Sequence, residues 1–206
     1  MKWKLVLIIT HFFCFLSFSQ ETNELLIHVN IGHEIVVLNE PIQVGDSIIT
    51  ITSLKFYLTV VDEHDRSIVQ LIDWSEAKTN RILCTASSRL FLGTDSLTNV
   101  SGNLESDLDP IHGMYWSWNS GYINFKLEGY WNNQEQQKFE YHIGGYRAPF
   151  ETFRKIGLFD SSTTELLIDL GPLFKSSSEK MMPSIMTPGK NAFLFSEKLI
   201  NSFQLK

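Results

Sequence analysis

Histidines and closely spaced tryptophans are the residues of this sequence whose chemistry indicates a binding site. His142 ends a strand-like run and is followed by Gly144 and Gly145, which let another backbone come close, so its imidazole is well placed to point into a site. Imidazole is a good ligand for several transition metals, among them zinc, copper, iron and nickel. Trp116 and Trp118 are one residue apart, so their indoles share one face of an extended chain. Core packing is the simpler interpretation of this pair, because aromatic side chains are favoured in strands and bury large areas.

The other histidines and the cysteine are weaker candidates. His28 lies inside an aliphatic run, where a lone histidine is more often a hydrogen-bonded core or edge residue than a ligand. His112 adjoins the turn that opens the tryptophan segment, so it is the reserve candidate ligand. His33 and His64, next to a turn and at a polar hairpin tip, are predicted surface residues. Cys84 lies in an apolar run and is predicted to be a buried, inert thiol.

Other site chemistries have less support. Glu105, Asp107 and Asp109 are closely spaced acids, but they lack the spacing of a helix-loop-helix calcium loop. The sequence contains no Gly-x-Ser-x-Gly, no His-Glu-x-x-His and no phosphate-binding loop, so we expect that the protein is not an enzyme. The alternative to metal binding is a carbohydrate- or surface-binding module that uses the same exposed aromatic side chains as a platform.

An export signal precedes the domain. Two lysines are followed by an apolar run over residues 5–18, and Ser17 and Ser19 suit cleavage before Gln20. The run is too short to favour a membrane span. We therefore expect residues 1–19 to be removed, residues 20–206 to form one domain, and the protein to be periplasmic or secreted. The net charge of −6 argues against a nucleic-acid partner.

The elements that position these residues are predicted to be strands. Runs rich in Ile, Val, Thr, Phe and Tyr recur with turn signals between them, and no alternation of strands with helices appears. This pattern predicts an all-β fold, a single antiparallel β-sandwich. After Thr187 and Pro188, which suit a helix start, apolar residues recur at helical spacing. We therefore expect a short C-terminal helix that packs on the sandwich.

Several motifs occur in order along the mature chain and resemble those of a known family. They include Leu-Lys-Phe-Tyr, Asp-Pro, Gly-Met-Tyr-Trp-Ser-Trp, Ser-Gly-Tyr, Lys-x-Glu-Gly and His-x-Gly-Gly. The segments concerned are residues 54–57, 93–102, 109–110, 113–118, 120–122, 126–129 and 139–145. In these motifs the chain resembles the MbnP-like copper-binding family of exported β-proteins.

The resemblance implies a copper site and a partner. In that family a tryptophan is oxidised to kynurenine by a di-haem peroxidase of the MauG type. An intact indole N–H is only a donor, whereas the ring-opened product carries an aromatic amine with a lone pair that can bind a metal. The resemblance therefore implies copper held by His28, His142 and a kynurenine derived from Trp116 or Trp118, with His112 in reserve. It also predicts that His28 and His142 converge at one end of the sandwich.

Overall fold

The computed structural model describes residues 22–116, 120–131, 137–160, 162–174 and 184–206. The predicted signal segment and Trp118 lie outside the described residues. Within the described ranges, no helix is long and apolar enough to cross a membrane.

Strands dominate the described chain, and helices are short. The strands are β1 (Thr22–Ile31), β2 (Glu34–Ile35), β3 (Pro41–Val44), β4 (Ser47–Val61), β5 (Ser67–Asp73), β6 (Arg81–Thr85), β7 (Arg89–Leu92), β8 (Tyr115–Trp116), β9 (Gly121–Trp131), β10 (Gln137–Gly144), β11 (Arg154–Leu158), β12 (Glu165–Asp169), β13 (Ser184–Ile185) and β14 (Phe203–Leu205). The α-helices are α1 (Ser96–Val100), α2 (Gly171–Phe174) and α3 (Lys190–Leu199). Single 3₁₀ turns are Ala77–Thr79, Ser106–Leu108, Pro110–His112 and Ile200–Ser202.

The described strands form two sheets. The smaller sheet has the order β14-β12-β1-β2, with β6 also paired to β1. The larger sheet has the order β11-β7-β4-β9-β10-β13, and β3 and β5 pair with β4 while β8 pairs with β9. The long strand β4 is thus the centre of the larger sheet, because β3, β5, β7 and β9 all pair with it.

The main core lies between the two sheets. On β1, Leu25, Ile27 and Val29 are buried in it, and on β10 Tyr141 and Ile143 are buried in the same cluster. Alternate side chains of a strand point to opposite faces, so the residues between these positions face away from the core. Cys84 is buried in this core as predicted, and burial raises the pKa of its thiol to about 12.

A second, smaller core covers the outer face of the larger sheet. Its buried members are Tyr57, Leu71, Leu108, Met114, Tyr122 and Ile123. The segment that runs from α1 to β8 covers this part of the sheet and is tied down by tyrosine hydroxyls. The Tyr57 hydroxyl donates to the Asp107 carbonyl oxygen at 3.0 Å, and the Tyr122 hydroxyl donates to the Asn103 carbonyl oxygen at 2.7 Å.

The predicted all-β sandwich with a short C-terminal helix is confirmed, with three details that the sequence did not predict. β12 runs parallel to β1, and β13 runs parallel to β10, so neither sheet is purely antiparallel. The chain also continues beyond α3 into β14, which pairs with β12. The helix packs on the sandwich through Phe195, whose ring centroid lies 4.8 Å from that of Tyr141.

Candidate functional site

His142 lies on β10 and faces outward from the larger sheet. Its neighbours Tyr141 and Ile143 are buried in the main core, so the imidazole lies on the opposite face, where it is still largely buried. Its Nε2 lies 2.7 Å from Glu128 Oε1, across the ladder between β9 and β10. Because an ionised carboxylate can only accept, Nε2 is the nitrogen that carries the proton. Nδ1 is then the nitrogen with the lone pair in the neutral ring.

Glu128 is held ionised by its neighbours. Burial opposes ionisation, but the hydrogen bond from His142 and the charge of Lys126, whose Nζ lies 3.3 Å from the same carboxylate oxygen, outweigh it. Together they hold the pKa of Glu128 below its usual range. The carboxylate therefore remains a dependable acceptor for the imidazole at neutral pH.

Trp116 lies on the same outer face as His142. A Cβ added to Gly144 would lie 2.7 Å from Trp116 Cζ3, so the indole covers the backbone of Gly144. Gly144 follows His142 by two residues on β10, and residues two apart on a strand share a face and are separated by roughly 7 Å. The absence of a side chain at Gly144 thus lets the indole lie over a strand position that is roughly 7 Å from His142 on the same face.

A bulge in β9 places Ile123 on the same outer face as Trp116. Ile143 pairs with Phe125, but Gly144 pairs with Ile123, so Asn124 is an extra residue in β9. The extra residue turns Ile123 to the outer face, into the smaller core on which Trp116 packs. Buried hydrogen bonds hold the Asn124 side chain, which accepts from the Thr94 N–H at 2.9 Å and donates to Thr152 Oγ1 at 2.9 Å.

Tyrosine side chains form part of the smaller core against which Trp116 packs. Tyr122 has its ring centroid 5.0 Å from that of Tyr115 and 5.6 Å from that of Tyr57, both edge-on. Burial raises the pKa of Tyr57 and of Tyr122, so both are neutral phenols. Trp116 therefore packs on the outer face of the larger sheet rather than in the main core, and Trp118 lies outside the described residues.

A pocket of about 390 Å³ lies next to this cluster. Its lining includes Ser120, Gly145, Tyr146 and Arg147. Gly145 follows the residue that Trp116 covers, and the Tyr146 ring lies 2.9 Å from the position of a Cβ on Gly121, the ladder partner of Trp116. The pocket gives solvent a route to this side of the site.

The structure does not bring His28 to His142. His28 lies on β1 between the buried residues Ile27 and Val29, so it faces outward from the smaller sheet. Its side chain is 47% exposed and its Nε2 lies 3.9 Å from Glu165 Oε1. The two imidazoles therefore lie on the two outer surfaces of the sandwich, and the expected convergence is not found. The strand periodicity that buries Ile27 and Val29 is the physical reason.

The reserve histidine lies on the same side of the molecule as His142. Lys55 Nζ lies 3.5 Å from the His112 carbonyl oxygen and forms an ion pair with Asp73 at 2.7 Å. Lys55 pairs with Lys126 on the next strand, and Lys126 pairs with His142 on the strand after that, so Lys55 is about 10 Å from His142. The His112 ring nitrogen Nε2 lies 3.0 Å from the Ser106 carbonyl oxygen.

The described residues contain no group of three or more His, Cys, Asp or Glu side chains arranged to hold a metal ion. His33 and His64 are exposed, as predicted. Two of the acids considered as calcium ligands, Asp107 and Asp109, accept hydrogen bonds from backbone N–H groups. Asp107 accepts from the Leu71 N–H at 2.8 Å, and Asp109 caps the following turn by accepting from the Ile111 N–H at 2.9 Å.

Sequence reasoning missed Glu128 and Gly144 as site residues. Glu128 belongs to the Lys-x-Glu-Gly motif and Gly144 to the His-x-Gly-Gly motif of the sequence. The pairing of β9 with β10 places Glu128 close to His142. The two residues are 14 apart in sequence, and no local pattern predicts that they are in contact.

Comparison with known proteins agrees with this fold. The MbnP family profile matches residues 20–187. No curated protein sequence matches significantly. Among solved structures, MbnP from Methylosinus trichosporium is similar, with a TM-score of 0.50 and 15% sequence identity over 77% of this chain and 78% of that one. At that identity the structural likeness supports the fold alone. Because the family profile covers most of the sequence, the chain belongs to the MbnP family.

Proposed function

We propose that this chain is an exported copper-binding protein whose site is built around His142 and Trp116 on the outer face of the larger sheet. The observation that carries the proposal is the position of the Trp116 indole over Gly144, two residues from His142 on the same face. Family membership supports it, because the motifs that resemble the copper-binding family are the ones that meet here.

The Glu128 carboxylate orients the His142 imidazole in a way that suits metal binding. A metal-binding histidine usually donates its second ring N–H to a carboxylate or carbonyl, which fixes the tautomer and the ring orientation. Glu128 does this for His142 through Nε2, and it leaves Nδ1 as the donor nitrogen. Copper accepts imidazole nitrogen readily, so the residues present fit one ligand of such a site.

The second ligand in the proposal is an amine derived from a tryptophan. Oxidative opening of an indole by two equivalents of peroxide, catalysed by a di-haem peroxidase of the MauG type, releases one ring carbon as formate, together with water, and yields an aromatic amine next to a ketone. Trp116 is the candidate with a described position, and Trp118 remains a candidate by the sequence motif. The indole packs against the smaller core, which would hold the product ring in place.

His28 and His112 are the two candidates for the second histidine ligand. His28 was implied by the family resemblance, but it faces the opposite surface. His112 shares the surface of His142, although its Nε2 lies at hydrogen-bonding distance from the Ser106 carbonyl oxygen. We propose His142 as the essential histidine and His112, rather than His28, as the second.

Three alanine variants test this assignment. The variants His142→Ala, His112→Ala and His28→Ala are made in protein exported with its peroxidase, and copper affinity is measured by competition with a chelator. We expect His142→Ala to lose at least tenfold in affinity and His28→Ala to match the parent. An unchanged affinity in His142→Ala contradicts the proposed site, and a loss in His28→Ala restores the original ligand set.

The proposed role is binding and handling of copper rather than catalysis. The protein would act in the periplasm or outside the cell, after removal of its signal segment, in copper acquisition or handling. A carbohydrate-binding module is the competing function. Sugar binding that survives removal of metal by a chelator would favour it.

A further inference from the structure

Strand β5 has a free edge over its first half. β5 pairs with β4 along one side, with Tyr57 opposite Leu71 and Thr59 opposite Val69. The Leu71 N–H points away from β4, because it donates to Asp107 Oδ2 at 2.8 Å. Since alternate residues of a strand direct their N–H and C=O groups to the same side, Val69 and Ser67 also direct theirs away from β4.

The second half of this edge is capped and the first half is not. The Leu71 N–H is taken by Asp107, and the Asp73 N–H donates to Thr79 Oγ1 at 3.1 Å. Within the part of the chain that the structure describes, nothing pairs with the outward N–H and C=O groups of Ser67 and Val69. Unpaired groups of this kind form a template for another strand.

A groove lies next to this free edge. Its volume is about 570 Å³, and Ser67 and Val69 line one side while residues of the 97–108 segment line the other. Among those residues, Leu97 is 74% exposed and presents an apolar side chain to the groove. The groove therefore offers apolar contacts next to free backbone groups.

The groove is acidic. Glu105 and Asp107 line it, and in the described residues neither forms an ion pair with a lysine or arginine. The hydrogen bond to Glu76 and the charges of Glu76 and Asp107 raise the pKa of Lys78, but Lys78 forms its ion pair with Glu76 at 2.9 Å, and Arg81 pairs with Glu24 at 3.0 Å. Charge complementarity therefore favours a basic segment over an acidic one.

We propose that this edge of β5 is a docking site for a partner protein, which adds one extended, basic segment to the larger sheet as an extra strand. Backbone hydrogen bonds to Ser67 and Val69 hold the segment. Those side chains of the segment that face the groove contact Leu97 and Glu105, which both line it. No side chain proposed as a copper ligand lines this groove, although Ser106, whose carbonyl oxygen lies 3.0 Å from His112 Nε2, is part of its lining.

The test uses the exported protein without copper and a defined probe. The probe is a capped peptide of alternating lysine and valine, and the control is the same peptide with glutamate in place of lysine. Amide hydrogen exchange is followed by NMR. We expect the lysine peptide to slow exchange of the Ser67 and Val69 amides at least tenfold, while the Leu71 amide, already bonded to Asp107, changes little.

Two variants keep the test decisive. Val69→Pro removes an outward N–H that makes no bond to β4, and Glu105→Lys reverses the charge of an exposed side chain without touching the edge. Both should weaken binding of the lysine peptide at least tenfold, whereas Glu34→Lys, a charge reversal on the smaller sheet, should not. Equal protection by both peptides overturns the charge argument, and protection that is absent at Ser67 and Val69 overturns the docking site.

Discussion

The site is defined at the residue scale by one contact across two strands. Glu128 and His142 meet at 2.7 Å, and Lys126 adds a positive charge 3.3 Å from the same carboxylate oxygen. The carboxylate orients the imidazole, and the lysine keeps the carboxylate ionised. A glutamine at position 128 has a similar shape but no charge. The substitution Glu128→Gln therefore tests the charge of the carboxylate while its packing stays the same.

We expect Glu128→Gln to lower copper affinity by about 10- to 100-fold, the usual effect of removing such a partner from a metal-binding histidine. Competition with a chelator measures the affinity, and the ring nitrogen shifts of His142 in NMR report the tautomer. Glu140→Gln is the matched control, because Glu140 lies opposite Glu128 on the ladder and pairs with Lys138 rather than His142. Equal losses in both variants would assign the effect to general charge.

Oxidation of Trp116 is a second prediction at this scale. In protein made with the peroxidase, intact mass should reveal the loss of one carbon and the gain of one oxygen, and protein made without it should keep intact tryptophans. Trp116→Phe keeps an aromatic ring but removes the oxidisable indole, so the mass change should disappear and copper should bind more weakly. Trp131→Phe is the control, because Trp131 packs on the main core. Persistence of the mass change in Trp116→Phe would assign it to Trp118.

At the scale of elements, the bulge in β9 and the lack of a side chain at Gly144 bring Trp116 next to His142. Asn124 is the extra residue, and it turns Ile123 outward to build the smaller core. The position of Trp116 is thus a property of three adjacent strands, β8, β9 and β10. A change at Gly144 should disturb this packing without removing any ligand.

We expect Gly144→Ala to destabilise the protein by roughly 1–3 kcal/mol, because the added Cβ would lie 2.4 Å from the Tyr122 carbonyl oxygen and 2.7 Å from the Trp116 ring. The free energy of unfolding comes from denaturant titration. Gly157→Ala on β11 is the control, because its Cβ would meet only the flexible end of Leu205. A loss in Gly157→Ala as large as that in Gly144→Ala would rule out the specific clash with Trp116.

At the scale of the whole molecule, periodicity predicted the face of a strand but not the sheet to which the strand belongs. In the structure His28 and His142 both face away from the main core, but their strands lie in different sheets, so the imidazoles are on opposite surfaces. The parallel pairing of β1 with β12 joins segments more than a hundred residues apart. Such pairings arise from packing of the complete chain, and no local pattern encodes them. The all-β class was predictable because it rests on local alternation, and the choice of His142 as a candidate ligand rests on a local motif.

The ion pair between Lys55 and Asp73 leads to a prediction about the acid stability of the whole fold. Lys55 lies on the central strand β4 and Asp73 on β5, and their charged atoms are 2.7 Å apart. Burial raises the pKa of Asp73, but hydrogen bonds from Lys55 and Ser75 outweigh it, and the pKa lies below its usual range. Its stabilising effect is therefore complete above the unfolded pKa of about 3.9 and is lost as pH falls through the lower folded value.

We accordingly expect the free energy of unfolding of the parent to fall as pH decreases below about 4. Asp73→Asn should be less stable than the parent at pH 7 and should lose less on acidification, so that the two curves approach each other at low pH. Denaturant midpoints at a series of pH values measure this, and Glu151→Gln, which changes an exposed loop carboxylate, should follow the parent. Parallel curves for Asp73→Asn and the parent would mean that Asp73 has the same pKa in the folded and unfolded chains. In that case the acid sensitivity of the sandwich would have to come from other buried carboxylates, of which Glu128 is the first to test.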